Sequence, residues 1–380
     1  MNRRALLIHG GGPTAVLNAS LAGLALELRR AGHWSLAGAR FGFAGLLAED
    51  FLDLDAPAES LLEQIALAPG SALGSSRHPL DEAGYERAVE ILLHHGITTA
   101  FLNGGNGTMR AARHLAESAG ARLQVIGIPK TIDNDIPGTD HTPGYGSVAR
   151  FFAHAVRDAG EDNRSLPSPV MVVETLGRDT GWVTAATALA RRSPEDAPHL
   201  IYLPEQKVSL EAICSDVERV FRRFGRCVIA VCEGQRDENG HPFGADVQVD
   251  RDGRQRLAAN LGHTLALLIQ QQTGLRTRSE KPGLTARSSA VLASARDRSD
   301  ARACGVEAAR AAARGESGIM VRLDHSGQTS TINLREVTPG LREFPQSWLA
   351  DQGIGVTKAF IEWLKPLAGE VEAWPRLTKS

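Results

Sequence analysis

Short apolar runs that end in glycine-rich loops, each followed by a segment of helical periodicity, constrain this 380-residue chain more than any other feature. Residues 5–8 form such a run. It stops at Gly10-Gly11-Gly12-Pro13, after which Leu17, Leu21, Leu24 and Leu28 recur at helical spacing. Residues 99–102 repeat the pattern before Gly104-Gly105-Asn106-Gly107-Thr108. Residues 123–128 lead into Pro129-Lys130-Thr131. Further strands are predicted at 170–175, 199–203, 226–232 and 318–323, with helices such as 210–223 and 256–271 between them. Such alternation builds parallel sheets with helices on both faces, an α/β fold. The strand number implies two sheets, with a junction near residues 143–147.

Composition narrows the function classes. Lys plus Arg number 42 against 44 Asp plus Glu, a formal charge of -2, so no basic excess points to nucleic acid or a membrane surface. Hydrophobic residues at 42% and charged residues at 23% give a globular chain rather than a disordered one. The four cysteines, Cys214, Cys227, Cys232 and Cys304, form no C-x-x-C pair, and a chain this long needs no disulfide staples. They read as reduced thiols of a cytoplasmic protein. The apolar run after Arg3-Arg4 is too short for a signal peptide.

In parallel α/β sheets, ligands bind at the carboxyl ends of the strands. Loops of small residues there let backbone N–H groups approach an anion. Two such glycine loops, at residues 10–14 and 104–108, point to phosphate binding, although close helix–sheet packing accounts equally well for any single glycine. The first is not G-x-G-x-x-G, which disfavours hydride transfer. The third loop is P-K-T-I-D-N-D at residues 129–135. Its two carboxylates, hydroxyl and cation are the mixture phosphoryl transfer needs: a proton acceptor, a magnesium ligand and a counter-charge. An Asx-capped turn explains D-N-D alone but not the whole heptad.

With G-G-N-G-T upstream and E-T-L-G-R-D-T-G-W downstream at residues 174–182, this heptad resembles the phosphofructokinase family over residues 5 to about 321. The resemblance implies two similar Rossmann-like domains with the active site in the cleft between them. Residues 1–145 would bind the phosphoryl donor, completed by a segment near 255–305. Residues 146–325 would bind the sugar phosphate, and 326–380 would be an extension packed on the body. By the same resemblance, Asp133 is the base for the sugar 1-hydroxyl and Asp135 holds Mg²⁺, with Asn106 where the family has a magnesium-linked aspartate. Thr131, Lys130 and Arg178 act on the transferring phosphoryl group. Gly12, Phe43, Arg77, Gly105, Asn106, Gly107 and Thr108 contact the donor; Phe43 matches an aromatic that can pack on adenine, although a Phe in a strand-end loop more often belongs to the core. Thr131, Asp133, Leu176, Gly177, Arg178, Glu233, Arg278 and Arg287 contact the sugar, the two last gripping its 6-phosphate. In the family the first of these two arginines serves a neighbouring subunit, which implies a homodimer or homotetramer. Pro169 and Leu284 stand where members place further phosphate-binding side chains.

The acceptor so implied is fructose 6-phosphate, with another ketose phosphate open. For the donor, pyrophosphate-using members carry an aspartate that excludes the ATP α-phosphate by repulsion; Gly107 stands there, which favours ATP. Lys130 is carried by pyrophosphate-using members and also by several ATP-using members with the same heptad, so it discriminates weakly, and pyrophosphate is the alternative. A non-catalytic sugar-phosphate-binding relative is the rival of another class.

Overall fold

The computed structural model describes residues 3–166, 169–244, 257–350 and 355–377. Among the described residues eleven strands form two sheets: β1 (Arg3–His9), β2 (Trp34–Ala39), β3 (Phe51–Asp53), β4 (Ile97–Gly104), β5 (Gln124–Pro129), β6 (Val170–Thr175), β7 (Leu200–Tyr202), β8 (Cys227–Cys232), β9 (Thr277–Glu280), β10 (Ile319–Leu323) and β11 (Thr329–Asn333). The first sheet runs β11-β10-β5-β4-β1-β2-β3 and the second β7-β8-β6-β9. The central pairs are parallel, and β3 and β11, at the edges of the first sheet, pair antiparallel to their neighbours.

The chain divides into two units, Met1–Ser147 with Arg287–Arg342, and Val148–Ala286 with Glu343–Ser380. This differs from the sequence expectation in three ways. The second unit ends at Ala286 rather than 325. The segment completing the first unit starts at Arg287 rather than near 255. The expected 326–380 extension is shared between the units. Residues 255 and 256 of that expectation lie outside the described residues. The helix expected from 256 begins at Leu261.

In the first unit, period-two alternation sorts the strand residues onto two buried faces. Leu7, Phe101 and Ile128 pack with Leu21, Leu24, Cys304 and Ala308. Leu6, Ile8, Leu102 and Val125 pack with Val89, Leu92, Met109 and Leu115. Strand order makes β1 the reversal point: β2 lies on one side of it and β4 on the other. Ligand crevices form at such a point, outside the carboxyl ends of the strands. Both glycine loops leave from there.

In the second unit, Val170, Val172, Ile229 and Val231 form a core with Ile213, Val217 and Leu265. Its carboxyl-terminal segment covers Trp182, which is fully buried against Phe344 at 5.1 Å and Phe360 at 6.4 Å between ring centroids. All four cysteines are buried free thiols. Among the described residues no helix is long and apolar enough to cross a membrane.

Candidate active site

His9, Asn103 and Lys130 continue the face of Leu7, Phe101 and Ile128 at the carboxyl ends of β1, β4 and β5, and all three are buried. The Lys130 ammonium donates to the carbonyls of Gly10 (2.9 Å) and Gly12 (2.5 Å). It thereby sits under the first glycine loop. Burial lowers its pKa to about 7, assisted by Arg287 and Arg77 and opposed by Asp133. His9 is held near 3 by burial and by Lys130, so its ring is neutral. Ser71 donates its hydroxyl proton to Gly74 (2.6 Å), which leaves His9 Nδ1–H to donate to Ser71 at 2.7 Å.

That contact ties the glycine loop to residues 71–77. Gly11 N–H donates to the Ser76 carbonyl at 3.0 Å, and the Ser75 hydroxyl to the Gly11 carbonyl at 2.7 Å. Arg77, exposed, follows directly. Arg287 lies over Gly12: a Cβ built there would stand 2.6 Å from its Nη1, so the guanidinium occupies space that only glycine leaves free. The structure therefore groups Arg287 with Lys130 and Arg77 at the glycine loop of the first unit, a closeness the sequence reading did not anticipate.

The second glycine loop opens the Asn106–Ala119 helix. Thr108 packs against Gly104, where a Cβ would lie 2.1 Å from its Oγ1. Asn106 donates Nδ2–H to the Asp135 carbonyl at 3.4 Å. Gly107 is exposed, and a Cβ there meets nothing nearer than Arg110 Nη2 at 3.9 Å. Of the two places open to Phe43, the structure gives it the core. It is only 7% exposed, packs edge-to-face on Tyr85 at 6.2 Å and belongs to the core. Five residues, Phe43–Leu47, coil into a helix that turns the ring inward, so it is not offered to adenine.

In the third loop, Thr131 donates its hydroxyl to Asp133 Oδ2 (3.4 Å) and accepts from Asp133 N–H (3.2 Å). This small turn aims the carboxylate. Asn134 takes a left-handed φ of 53°. Its Oδ1 accepts from Thr142 N–H at 3.0 Å. From the far end of the unit, Arg342 donates its N–H to the Asp135 carbonyl at 2.9 Å and its guanidinium to the Asn134 carbonyl at 3.4 Å. Sequence reasoning missed Arg342, since nothing local to it signals a loop some two hundred residues upstream in the same chain.

In the second unit, adjacent strands β6 and β8 end in the Leu176-Gly177-Arg178 and Glu233-Gly234 loops. The loops are tied by Glu233 N–H donating to the Thr175 carbonyl (3.1 Å). Cys232 Sγ–H donates to the Gly177 carbonyl. A Cβ at Gly234 would lie 1.7 Å from the Arg178 carbonyl oxygen, so only glycine admits this approach. Leu176 and Gly177 are buried, and Arg178 and Glu233 are partly exposed. Glu174, buried beneath them, accepts from Gly262 N–H at 2.7 Å and pairs with Lys281 at 2.6 Å. Arg278 is not brought to this edge. It pairs with Met171 in the amino-terminal half of β6. Leu284 is 62% exposed.

A family model described as Phosphofructokinase matches residues 4–312. A Rhodospirillum rubrum protein named pyrophosphate–fructose 6-phosphate 1-phosphotransferase is 36% identical over 381 residues, 96% of this chain and 94% of that one. A sulfofructose kinase of Alkalicoccus urumqiensis is 31% identical over 373 residues, 95% of this chain and 94% of that one. A solved structure described as pyrophosphate-dependent phosphofructokinase from Marinobacter aquaeolei matches with a TM-score of 0.87 at 29% identity, covering 99% of this chain and 94% of that one. Glycine loops, the aspartate turn and the parallel sheets all agree with these matches: the chain belongs to the phosphofructokinase family.

Proposed function

We propose that this chain moves a phosphoryl group from inorganic pyrophosphate to the 1-hydroxyl of fructose 6-phosphate, giving fructose 1,6-bisphosphate and phosphate. The observation that carries this is the Lys130 ammonium, held under the glycine loop by two carbonyls with Arg77 and Arg287 close by. Three cations on one loop suit a small, densely charged donor. The names of the relatives support the same donor. The preference for ATP drawn from the sequence is thereby reversed. A carboxylate at 107 would exclude ATP, but its absence removes nothing that holds pyrophosphate.

Asp133, aimed by Thr131, accepts the 1-hydroxyl proton as the oxygen attacks phosphorus and the bridging oxygen leaves with its electrons. A loose transition state needs that proton removed late, so an ordinary carboxylate suffices. Lys130 stabilises charge on the leaving phosphate, and Arg178 charge on the transferring group. Glu233 receives sugar hydroxyls. Arg278, set away from the loops of its own unit, serves a neighbouring copy in a homo-oligomer. The residues present fit Mg²⁺: Asp135 and Asn106 offer hard oxygen donors beside the phosphate loops, and Mg²⁺ takes one or two carboxylates plus substrate phosphates. The ion would neutralise phosphate oxygens there.

A second reading, ATP as donor, is favoured by the open space at Gly107 and by the Phe41 ring, 52% exposed and lying against Gly74 in the loop that leads to Arg77. Side-by-side assays with fructose 6-phosphate and Mg²⁺ decide. We expect kcat/KM for pyrophosphate to exceed that for ATP by roughly tenfold or more. The reverse order establishes the second reading; no turnover with either donor moves the test to other ketose phosphates, and only their failure as well favours the non-catalytic relative. Gly107→Asp places a carboxylate in the first turn of a helix, where it is favoured. It should leave pyrophosphate turnover within about threefold and cut residual ATP turnover by about 10- to 100-fold, since a misplaced like charge costs several kcal/mol. Equal loss with both donors would show that position 107 does not discriminate them.

A further inference from the structure

The loop that carries Thr131 and Asp133 is shaped by another segment. Both backbone groups of Thr131 are taken by residues 142–143: its N–H donates to the Pro143 carbonyl (3.2 Å), and its carbonyl accepts from the Thr142 hydroxyl (2.9 Å). Gly144 then bridges to Thr131 in parallel register, and Thr142 also grips Asn134. The shape of the catalytic turn is thus a copy of the shape of residues 142–144.

Those residues are fixed by one helix, Ala295–Ala313. Asp297 is 2% exposed. Its Oδ1 accepts from Gly144 N–H at 2.8 Å. Its Oδ2 accepts from Ser147 N–H at 2.8 Å and from the Ser147 hydroxyl at 2.5 Å. Three donors on one carboxylate, two of them amides at the start of the Tyr145–Ser165 helix, offset the cost of burying it there. One turn on, Asp300 accepts from Arg296 Nε at 2.8 and 2.9 Å and contacts His141 Nε2 at 2.8 Å, which clamps the same segment a second time. The same helix is bonded to the helix that follows the first glycine loop, through the Ser20 hydroxyl and the Ala301 carbonyl at 2.8 Å.

We propose that Asp297 is a positioning residue for phosphoryl transfer: acting through Gly144 and Ser147, its carboxylate sets where Thr131 and Asp133 stand. This rests on the function proposed above. Asp297 touches none of the reacting groups; it is three links behind them. Displacement of a catalytic group by about 1 Å costs on the order of 100-fold in rate.

The test uses Asp297→Asn in the full chain. The amide keeps an acceptor but turns an NH₂ towards amide or hydroxyl donors, which pushes residues 144–147 away. We expect kcat to fall by about 10- to 100-fold with KM for fructose 6-phosphate within about threefold, the pattern of a loss confined to the transition state. Amide hydrogen exchange should quicken at residues 131–135 and 142–147 while β1 and β4 keep their protection. Ser147→Ala, which removes one donor of three, should give a smaller effect of the same kind. It also serves if Asp297→Asn does not fold. Unchanged kcat with unchanged local exchange overturns the proposal. So does quickened exchange throughout the unit with kcat falling only as the folded fraction falls. If the unsubstituted chain turns over neither donor, the proposed function fails, and the exchange pattern alone still decides whether Asp297 sets the loop.

Discussion

On the proposed function, Asp133→Ser is expected to lower kcat by about 10³-fold and to leave binding of fructose 6-phosphate nearly unchanged, because a positioned general base contributes about 10² to 10⁴ in rate. Serine is short enough to keep the turn in which residue 133 donates its N–H to Thr131 Oγ1 at 3.2 Å, so the loop backbone stays in place. What is lost is the carboxylate oriented by the Thr131 hydroxyl. With no acceptor for the 1-hydroxyl proton, the attacking oxygen stays protonated into the transition state. The loss falls on a step and not on an encounter, so kcat and kcat/KM fall together. Calorimetric titration of the variant with fructose 6-phosphate supplies the other half of the test. A variant that turns over at the unsubstituted rate ends the assignment of Asp133 as base. A variant that loses sugar binding along with turnover assigns the residue to binding instead.

Much of this site is legible in the sequence because its parts are local. The three loops of the candidate site announce themselves by small residues or paired carboxylates directly after apolar runs, and β1, β4, β5, β6, β8 and β10 sit where those runs are. The strands without such runs are not legible. β9 is Thr277–Glu280, a polar edge strand of four residues, and β11 is Thr329–Asn333, another edge; neither is apolar enough to stand out. The return of residues 287–342 to the first unit is a non-local fact. It is decided by parallel pairing of β10 with β5 and by the Ala295–Ala313 helix covering Ile128 and Leu7, not by anything within the segment. Arg342, and the closeness of Arg287 to the first glycine loop, were missed for that reason. Phe43 shows what a local reading leaves open and packing decides: an apolar residue beside a strand end is as well suited to the core as to a ligand, and here it joins the core.

In the proposed function Lys130 serves the pyrophosphate donor, and its replacement by methionine is expected to lower kcat/KM for pyrophosphate by about 10² to 10³-fold, the usual loss for a preorganised charge-stabilising group. Methionine fills nearly the same volume but cannot neutralise the leaving phosphate. The stability change should be modest, since two opposing terms nearly cancel. The carbonyls of Gly10 and Gly12 lose their donor, but a buried ammonium crowded by Arg287 and Arg77 is removed. The pH dependence separates these contributions. With a folded pKa of about 7, Lys130 of the unliganded protein loses its proton as pH rises through neutrality, so kcat/KM for pyrophosphate falls above about 7. At saturating donor the bound anion raises the pKa, and kcat holds. In the unfolded chain a lysine titrates near 10.4, so the unfolded state binds more protons between about 7 and about 10 and stability rises with pH across that window. Both slopes should vanish in Lys130→Met. Pyrophosphate ionises identically in the two assays, so the difference between the profiles belongs to the lysine. If the variant keeps the slope in kcat/KM, the titrating cation lies elsewhere on the loop, at a group other than Lys130. If it keeps the full rate with pyrophosphate, the cradle beneath the first glycine loop does not select the donor, and ATP becomes the better reading.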